Sequence, residues 1–201
     1  MKKYICLIVA IFALSACTLW RTSEPARFYT FTTPEVSQIR GPAKVTTVAI
    51  ENVSVPQAID RPQIVMKHKN SNMMMVSEFD RWIDGPTNSL PVVISENMNQ
   101  YAKNISAKPT KNSVEARNAK YILSVDFVRF ETELNGKITI SAWWTLSNNR
   151  GDIVAQKKMT QTADTPELEA GYPNYDAIVA AQSKLLARLS YKIADVISDL
   201  K

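Results

Sequence analysis

The chain has 201 residues, 45% apolar and 21% charged, which suits one hydrophobic core of the kind that chains of about 100 to 200 residues commonly build. With 5 Gly and 10 Pro the composition excludes collagen-like and mucin-like chains, and its apolar content excludes a wholly disordered one. Past the N-terminus no apolar run approaches the roughly 20 residues that a bilayer-spanning helix needs, and a formal charge of +5, spread rather than blocked, does not by itself point to nucleic acid.

The first element is an address. Met1-Lys2-Lys3, the apolar run Ile5 to Leu14 and then Ser15-Ala16-Cys17 have the basic cap, short greasy core and small residues of a secretory signal peptide. Leu14-Ser15-Ala16-Cys17 resembles the bacterial lipobox, in which the Cys thiol takes a diacylglyceryl group and the chain is cut just before it. Two other readings stand beside it: a plain signal peptide cut near a Cys, and an uncleaved anchor. On the lipobox reading residues 1–16 leave and Cys17 carries acyl chains such as palmitate. Two or three such chains, at about 0.8 kcal/mol per buried CH₂, hold a protein on a membrane far more firmly than one. Thr18 follows the Cys where inner-membrane lipoproteins carry Asp, so by resemblance to that sorting rule the chain goes to the outer membrane and faces the periplasm.

Cysteine counting then closes several doors. Cys6 departs with the signal and Cys17 is alkylated, so the mature chain has no disulfide and no thiol nucleophile. Loss of Lys2 and Lys3 lowers the formal charge from +5 to +3. Residues 17–27, polar and containing Pro25, read as a lipidated tether that reaches at most about 35 Å. Residues 28–201 read as one domain.

Along that domain, Phe28 to Thr32 and Val45 to Val53 read as strands. Pro56 and Pro62 break the chain on either side of Asp60-Arg61. Gln63 to Lys67 and Asn72 to Val76 form a hairpin pair around the turn His68 to Ser71. Asn88 or Ser89 is expected to cap a helix with Pro91 in its first turn and Leu90, Val93, Ile94, Met98 and Tyr101 on one face. Tyr121, Leu123, Val125 and Phe127 alternate as a strand. Asn135-Gly136 turns the chain into Lys137 to Leu146, and Asn149 to Asp152 turns it into Ile153 to Thr162, which completes a meander. Tyr175 to Leu200 is the clearest helix, with one apolar face at i, i+3, i+4 spacing. The expected fold class is α/β of the α+β kind: a single domain with a mixed, mostly antiparallel sheet packed with two main helices.

The supply of catalytic groups is thin. His68 is the one histidine, set between Lys67 and Lys69 on a turn where a solvated side chain is expected. No nucleophile elbow, phosphate-cradling loop or His-Glu-x-x-His pair occurs, and one histidine without a thiol does not make a zinc site. The expectation is a protein that is not an enzyme and takes no cofactor or metal. Five residues stand out instead as candidates for partner binding: Asp60, Arg61, Trp82, Trp143 and Met74. Asp60-Arg61, held between two prolines, is either a capped turn with a paired guanidinium or a fixed recognition corner. Trp82 and Trp144 are more in keeping with core, whereas Trp143 alternates with Trp144 on one strand, so one of the two should face outward and serve as an interface anchor. Within Met73-Met74-Met75, strand alternation turns Met73 and Met75 inward and leaves Met74 exposed; a projecting hairpin would instead offer an adaptable apolar surface.

Taken together, the landmarks resemble a known family. Val48 to Val55, Pro56 and then Ile59-Asp60-Arg61-Pro62-Gln63-Ile64-Val65 look like the signature of the ABC-type transport auxiliary lipoproteins, the family that includes PqiC. Phe79-Asp80-Arg81-Trp82, Trp144, and Tyr175 through Ala180-Ala181, Leu189-Ser190 and Ile193-Ala194 continue the pattern. It departs at Ala58, where an aromatic is usual, and at Ile83 to Pro86. The resemblance implies an outer-membrane lipoprotein that supports membrane integrity by working with an MCE-type intermembrane lipid channel of the PqiA and PqiB kind. This chain would be its outer-membrane docking piece, and a homo-oligomeric ring would match a rotationally symmetric channel most simply. Two competing readings are a lipid chaperone, which needs an apolar pocket of several hundred Å³, and an envelope hydrolase, for which the machinery is missing.

Overall fold

The structure, a computed structural model, describes residues 24–36, 45–110, 113 and 115–200. The signal segment and Cys17 lie outside the described residues. Among those described, the order is β1 (Arg27–Tyr29), β2 (Thr46–Ser54), β3 (Gln63–Lys67), β4 (Met74–Trp82), α1 (Pro86–Tyr101), β5 (Ile105–Pro109), a 3₁₀ turn (Glu115–Asn118), β6 (Tyr121–Thr132), β7 (Lys137–Asn148), β8 (Ile153–Asp164) and α2 (Tyr175–Asp199). The strands form a five-stranded sheet, β5-β2-β6-β7-β8, and a three-stranded sheet, β1-β4-β3. This is an α+β domain with mixed sheets, as the sequence pattern predicts. The long ladders β6/β7 and β7/β8 are antiparallel, whereas β2 runs parallel to both neighbours and β1 runs parallel to β4.

The parallel setting of β2 follows from its composition. Val48, Ala49 and Ile50 are buried one after another, because this strand is covered on both faces and needs no polar side. Val48 and Ile50 face the main core, while Ala49 meets Ala116 and Ala119 at the 3₁₀ turn. β5 carries too weak an apolar pattern to be read from sequence. It exists because β2 pairs with one of its edges and the Asn99 side chain serves the other: Ala107 N–H donates to Asn99 Oδ1 at 2.7 Å and Asn99 Nδ2 donates to the Ala107 carbonyl at 2.9 Å.

Helix α1 starts earlier than its local capping residues predict. Gly85 is the N-cap and Pro86 the first helical residue, so Pro91 lies inside the helix rather than in its first turn. Pro86 has the φ that a first turn requires, and the Thr87 N–H finds Asp60 Oδ1 at 3.4 Å from a distant loop. The predicted face Leu90, Val93, Ile94, Met98 and Tyr101 is buried. Helix α2 opens on Asn174, whose Oδ1 accepts from Ala177 N–H at 2.9 Å. The two helices lock through Tyr101 and Tyr191, stacked at 4.5 Å, and through Tyr101 Oη donating to Asp195 at 3.1 Å.

One apolar core joins the helices to the inner face of the large sheet and continues into the small sheet through Phe31, Trp82 and Phe130. The two sheets meet where Leu134 N–H donates to the Lys67 carbonyl at 2.9 Å. Asn135, at φ 53, makes the expected turn with Gly136, where a Cβ would sit 2.6 Å from Glu133 Oε2. Met73 does not turn inward. Its backbone belongs to the hairpin turn, its carbonyl accepting from His68 N–H at 3.2 Å, so Met73 and Met74 are both exposed while Met75 packs partly on the core.

Candidate docking surface

The five residues singled out for partner binding do not converge. Asp60 and Arg61 form an exposed corner in which Ile59 N–H donates to the Pro56 carbonyl at 3.0 Å and Arg61 N–H to the Ile59 carbonyl at 2.9 Å. Within that corner Asp60 serves the first turn of α1, and Arg61 Nε donates to Gln63 Oε1 at 3.3 Å. Trp82 is buried, its ring 4.4 Å from that of Phe31, and so does not present itself to a partner. Met74 lies at the exposed start of β4. His68 is half-buried at the hairpin turn rather than fully solvated.

Trp143 sits differently. Along β7 the side chains Ile138, Ile140, Ala142, Trp144 and Leu146 face the core and are buried. Of the intervening positions on the opposite sheet face, Ser141 is buried while Thr139 and Thr145 are half-buried. There Trp143 is 44% exposed, whereas its neighbour Trp144 is 0% exposed and donates from Nε1 to Met159 Sδ. Register places Ser54, Asp126, Trp143 and Lys158 in one row across β2, β6, β7 and β8. Ser54 Oγ hydrogen-bonds Asp126, and Lys158 Nζ lies 6.0 Å from the indole centroid, within cation–π range. An aromatic surface is thus flanked by an anion and a cation.

The rows on either side are polar. Gln156 Nε2 donates to Thr145 Oγ1 at 3.1 Å, and Ser141 and Thr160 share a hydrogen bond of 2.9 Å. Arg129 and Glu131 pair at 2.7 Å, and the hydrogen bond from Arg129 holds the Glu131 carboxyl below its usual range despite partial burial. Sequence reading identified the tryptophan but missed Asp126 and Lys158. The alternation of Leu123, Val125 and Phe127 already implies that Asp126 points outward; only the register between strands shows which residues it meets.

A second polar cluster sits where the N-terminal segment enters the fold. Asp80 is buried, yet its carboxylate accepts from Arg27 Nε at 2.7 Å, Arg27 Nη2 at 3.0 Å, Tyr29 Oη at 2.9 Å and Ser77 Oγ at 2.9 Å. Burial alone would raise the Asp80 carboxyl; the hydrogen bonds from Arg27, Ser77 and Tyr29 and the guanidinium charge outweigh it and hold the group below its ordinary value. Tyr29 is pushed up to about 12, first by burial and then by its bond to the Asp80 carboxylate. These groups bind β1 to β4.

The clefts are open and mixed in lining. One, about 420 Å³, lies between the hairpin turn at His68 and the loop at Tyr172; another of about 340 Å³ runs beside Pro91, Val92 and Pro109. Among the described residues no group of three or more His, Cys, Asp or Glu is placed to hold a metal, and no helix is long and apolar enough to cross a membrane.

Comparison with known proteins bears on the whole domain. The family model for the ABC-type transport auxiliary lipoprotein component matches residues 29–194. A solved structure of an uncharacterized protein superposes with a TM-score of 0.68 at 16% identity, covering 87% of this chain and 99% of that one. Protein XCC0632 from Xanthomonas campestris, of family DUF330, superposes at 0.61 with 19% identity, covering 84% of this chain and 93% of its own. No curated protein matches.

Proposed function

Because the chain belongs to the family of ABC-type transport auxiliary lipoprotein components, we propose that it docks the periplasmic end of an intermembrane lipid-transport assembly to the outer membrane. The partners in this reading are an MCE protein of the PqiB kind and an inner-membrane protein of the PqiA kind. Acyl chains on Cys17 hold the domain at the periplasmic face of that membrane, and the body works by adhesion rather than catalysis. Confinement to the membrane raises the effective concentration of the domain near the channel tip, which makes each re-encounter cheaper in entropy. Copies of the chain arranged around a rotationally symmetric channel would form a ring.

The observation that carries this reading is the open face of the five-stranded sheet. An exposed tryptophan on a strand paired on both edges, with Asp126 and Lys158 beside it, has the composition of an interface centre: an aromatic anchor whose charged flanks set register. The test is binding of the full-length lipoprotein, in outer-membrane-like vesicles, to the PqiB-type protein. Trp143→Ala is expected to weaken that binding about thirtyfold, equivalent to about 2 kcal/mol. Binding unchanged by Trp143→Ala removes this face from the interface. Stoichiometric lipid carried by the purified domain would favour a chaperone instead.

A further inference from the structure

The outer face of the three-stranded sheet is apolar at the edge where the N-terminal segment joins the fold. Phe28 is 61% exposed and Ile83 67% exposed. Register sets Phe28, Arg81 and Gln63 in one row across β1, β4 and β3. Ile83, one residue past the end of β4, is tied to the same edge by its N–H, which donates to the Tyr29 carbonyl at 2.9 Å. Val76 and Met74, both exposed, extend the same face alongside Val65 and Lys67. The other side of these strands, Ile64, Met66, Asp80 and Trp82, is buried. Single exposed apolar residues are ordinary; a group of them on one small sheet marks a contact.

Two cations accompany the group. Arg81 donates to the Glu78 carbonyl at 3.3 Å and Arg61 to Gln63 at 3.3 Å, and among the described residues neither guanidinium forms a salt bridge. Asp60 and Asp80 adjoin the two arginines in the chain, but Asp60 Oδ1 accepts from Thr87 N–H and Asp80 is buried against Arg27, Tyr29 and Ser77; Glu78 and Asp84 lie three residues to either side of Arg81. The length of chain outside the described residues identifies the occupant. β1 begins only ten residues after Cys17, a span of at most about 35 Å. Asp80, bound by Arg27 and Tyr29, keeps β1 fastened to the body. On the reading that Cys17 is lipidated, this sheet is therefore the first folded element beyond the bilayer.

We infer that the outer face of the three-stranded sheet, led by Phe28 and Ile83, rests on the bilayer that holds the acyl chains, with Arg61 and Arg81 against lipid phosphates. Phe and Ile side chains enter the boundary between headgroups and acyl chains, and the arginine stems lie flat while their charged ends stay with the headgroups. The lipid anchor then sets distance and this face sets orientation, so the body is held rather than swinging on its tether.

The mature chain offers no thiol but the acylated one, so Ile83→Cys accepts an environment-sensitive fluorophore at a single place. The full-length lipoprotein is reconstituted into vesicles of phosphatidylethanolamine and phosphatidylglycerol carrying shallow doxyl-labelled lipid, with Gln156→Cys on the open sheet face as control. The expected result is loss of emission at position 83 and none at position 156. Co-flotation of the protein with unquenched emission at 83 overturns the inference while leaving the anchor standing. So does a blue shift at 83 without quenching, which would mean a second copy or the channel partner covers this face. Failure to co-float removes the anchor itself, and the inference with it.

Discussion

The two faces of β7 are made from one continuous run, Lys137–Asn148, and yet Trp144 and Trp143 have opposite surroundings. On the inner face every apolar side chain is matched by a helix or a neighbouring strand, and the tryptophan is surrounded by core. On the outer face hydroxyls pair across strands, the charges sit at the surface, and the tryptophan has Asp126 and Lys158 beside it. Residue type therefore says little about role here; the parity of the position says nearly everything. Charge follows the same logic. Asp80 is buried and has four hydrogen-bond donations to hold it, whereas Asp126 stands at the surface with Ser54.

The largest expected effect sharpens the contrast between the faces. Trp144→Ala should lower stability by about 3 to 5 kcal/mol, the cost of emptying a fully buried aromatic site, seen as a lower denaturant midpoint at unchanged slope. An effect below about 1 kcal/mol would mean that the inner face collapses around the gap and the two faces differ less than they look.

Next comes the clamp between β1 and β4. Asp80→Asn should cost about 2 kcal/mol, because Arg27, Tyr29 and Ser77 lose a buried, charged acceptor. It should also change the response to acid. The Asp80 carboxyl is held below its ordinary value of 3.8, so the stability it contributes is present above that value and is lost as pH falls further through the folded-state value. Wild-type protein should therefore lose stability below pH 3.8 more steeply than Asp80→Asn. Parallel acid titration curves for the two proteins would remove the clamp from the account.

The smallest effect is the most diagnostic. Trp143→Ala should change stability by less than about 1 kcal/mol, since surface substitutions away from buried networks seldom do more. Its effect is expected on binding instead. A loss as large as that of Trp144→Ala would show that the outer tryptophan is structural.

Much of this was legible in the order of residues. The alternation from Tyr121 to Phe127, the Asn135-Gly136 turn and the apolar face of the last helix each specify a local period, and each appears in the structure. The start of α1 was misplaced because its first free N–H is met by Asp60, 27 residues away, and no local cap announces that. β5 was missed because a short strand with an Asn side chain for a neighbour carries no period to read. Met73 was misassigned because alternation was extended one residue past the end of its strand.

From sequence alone come the N-terminal lipobox resemblance, the strand and helix periods, and the knowledge that Trp143 and Trp144 must point to opposite sides. Which residues flank Trp143, and that Asp80 gathers Arg27, Tyr29 and Ser77, were decided only by the tertiary structure. The reason is physical: side-chain direction within an element follows from local backbone geometry, whereas strand register and the choice of covered face depend on contacts between segments far apart in the chain.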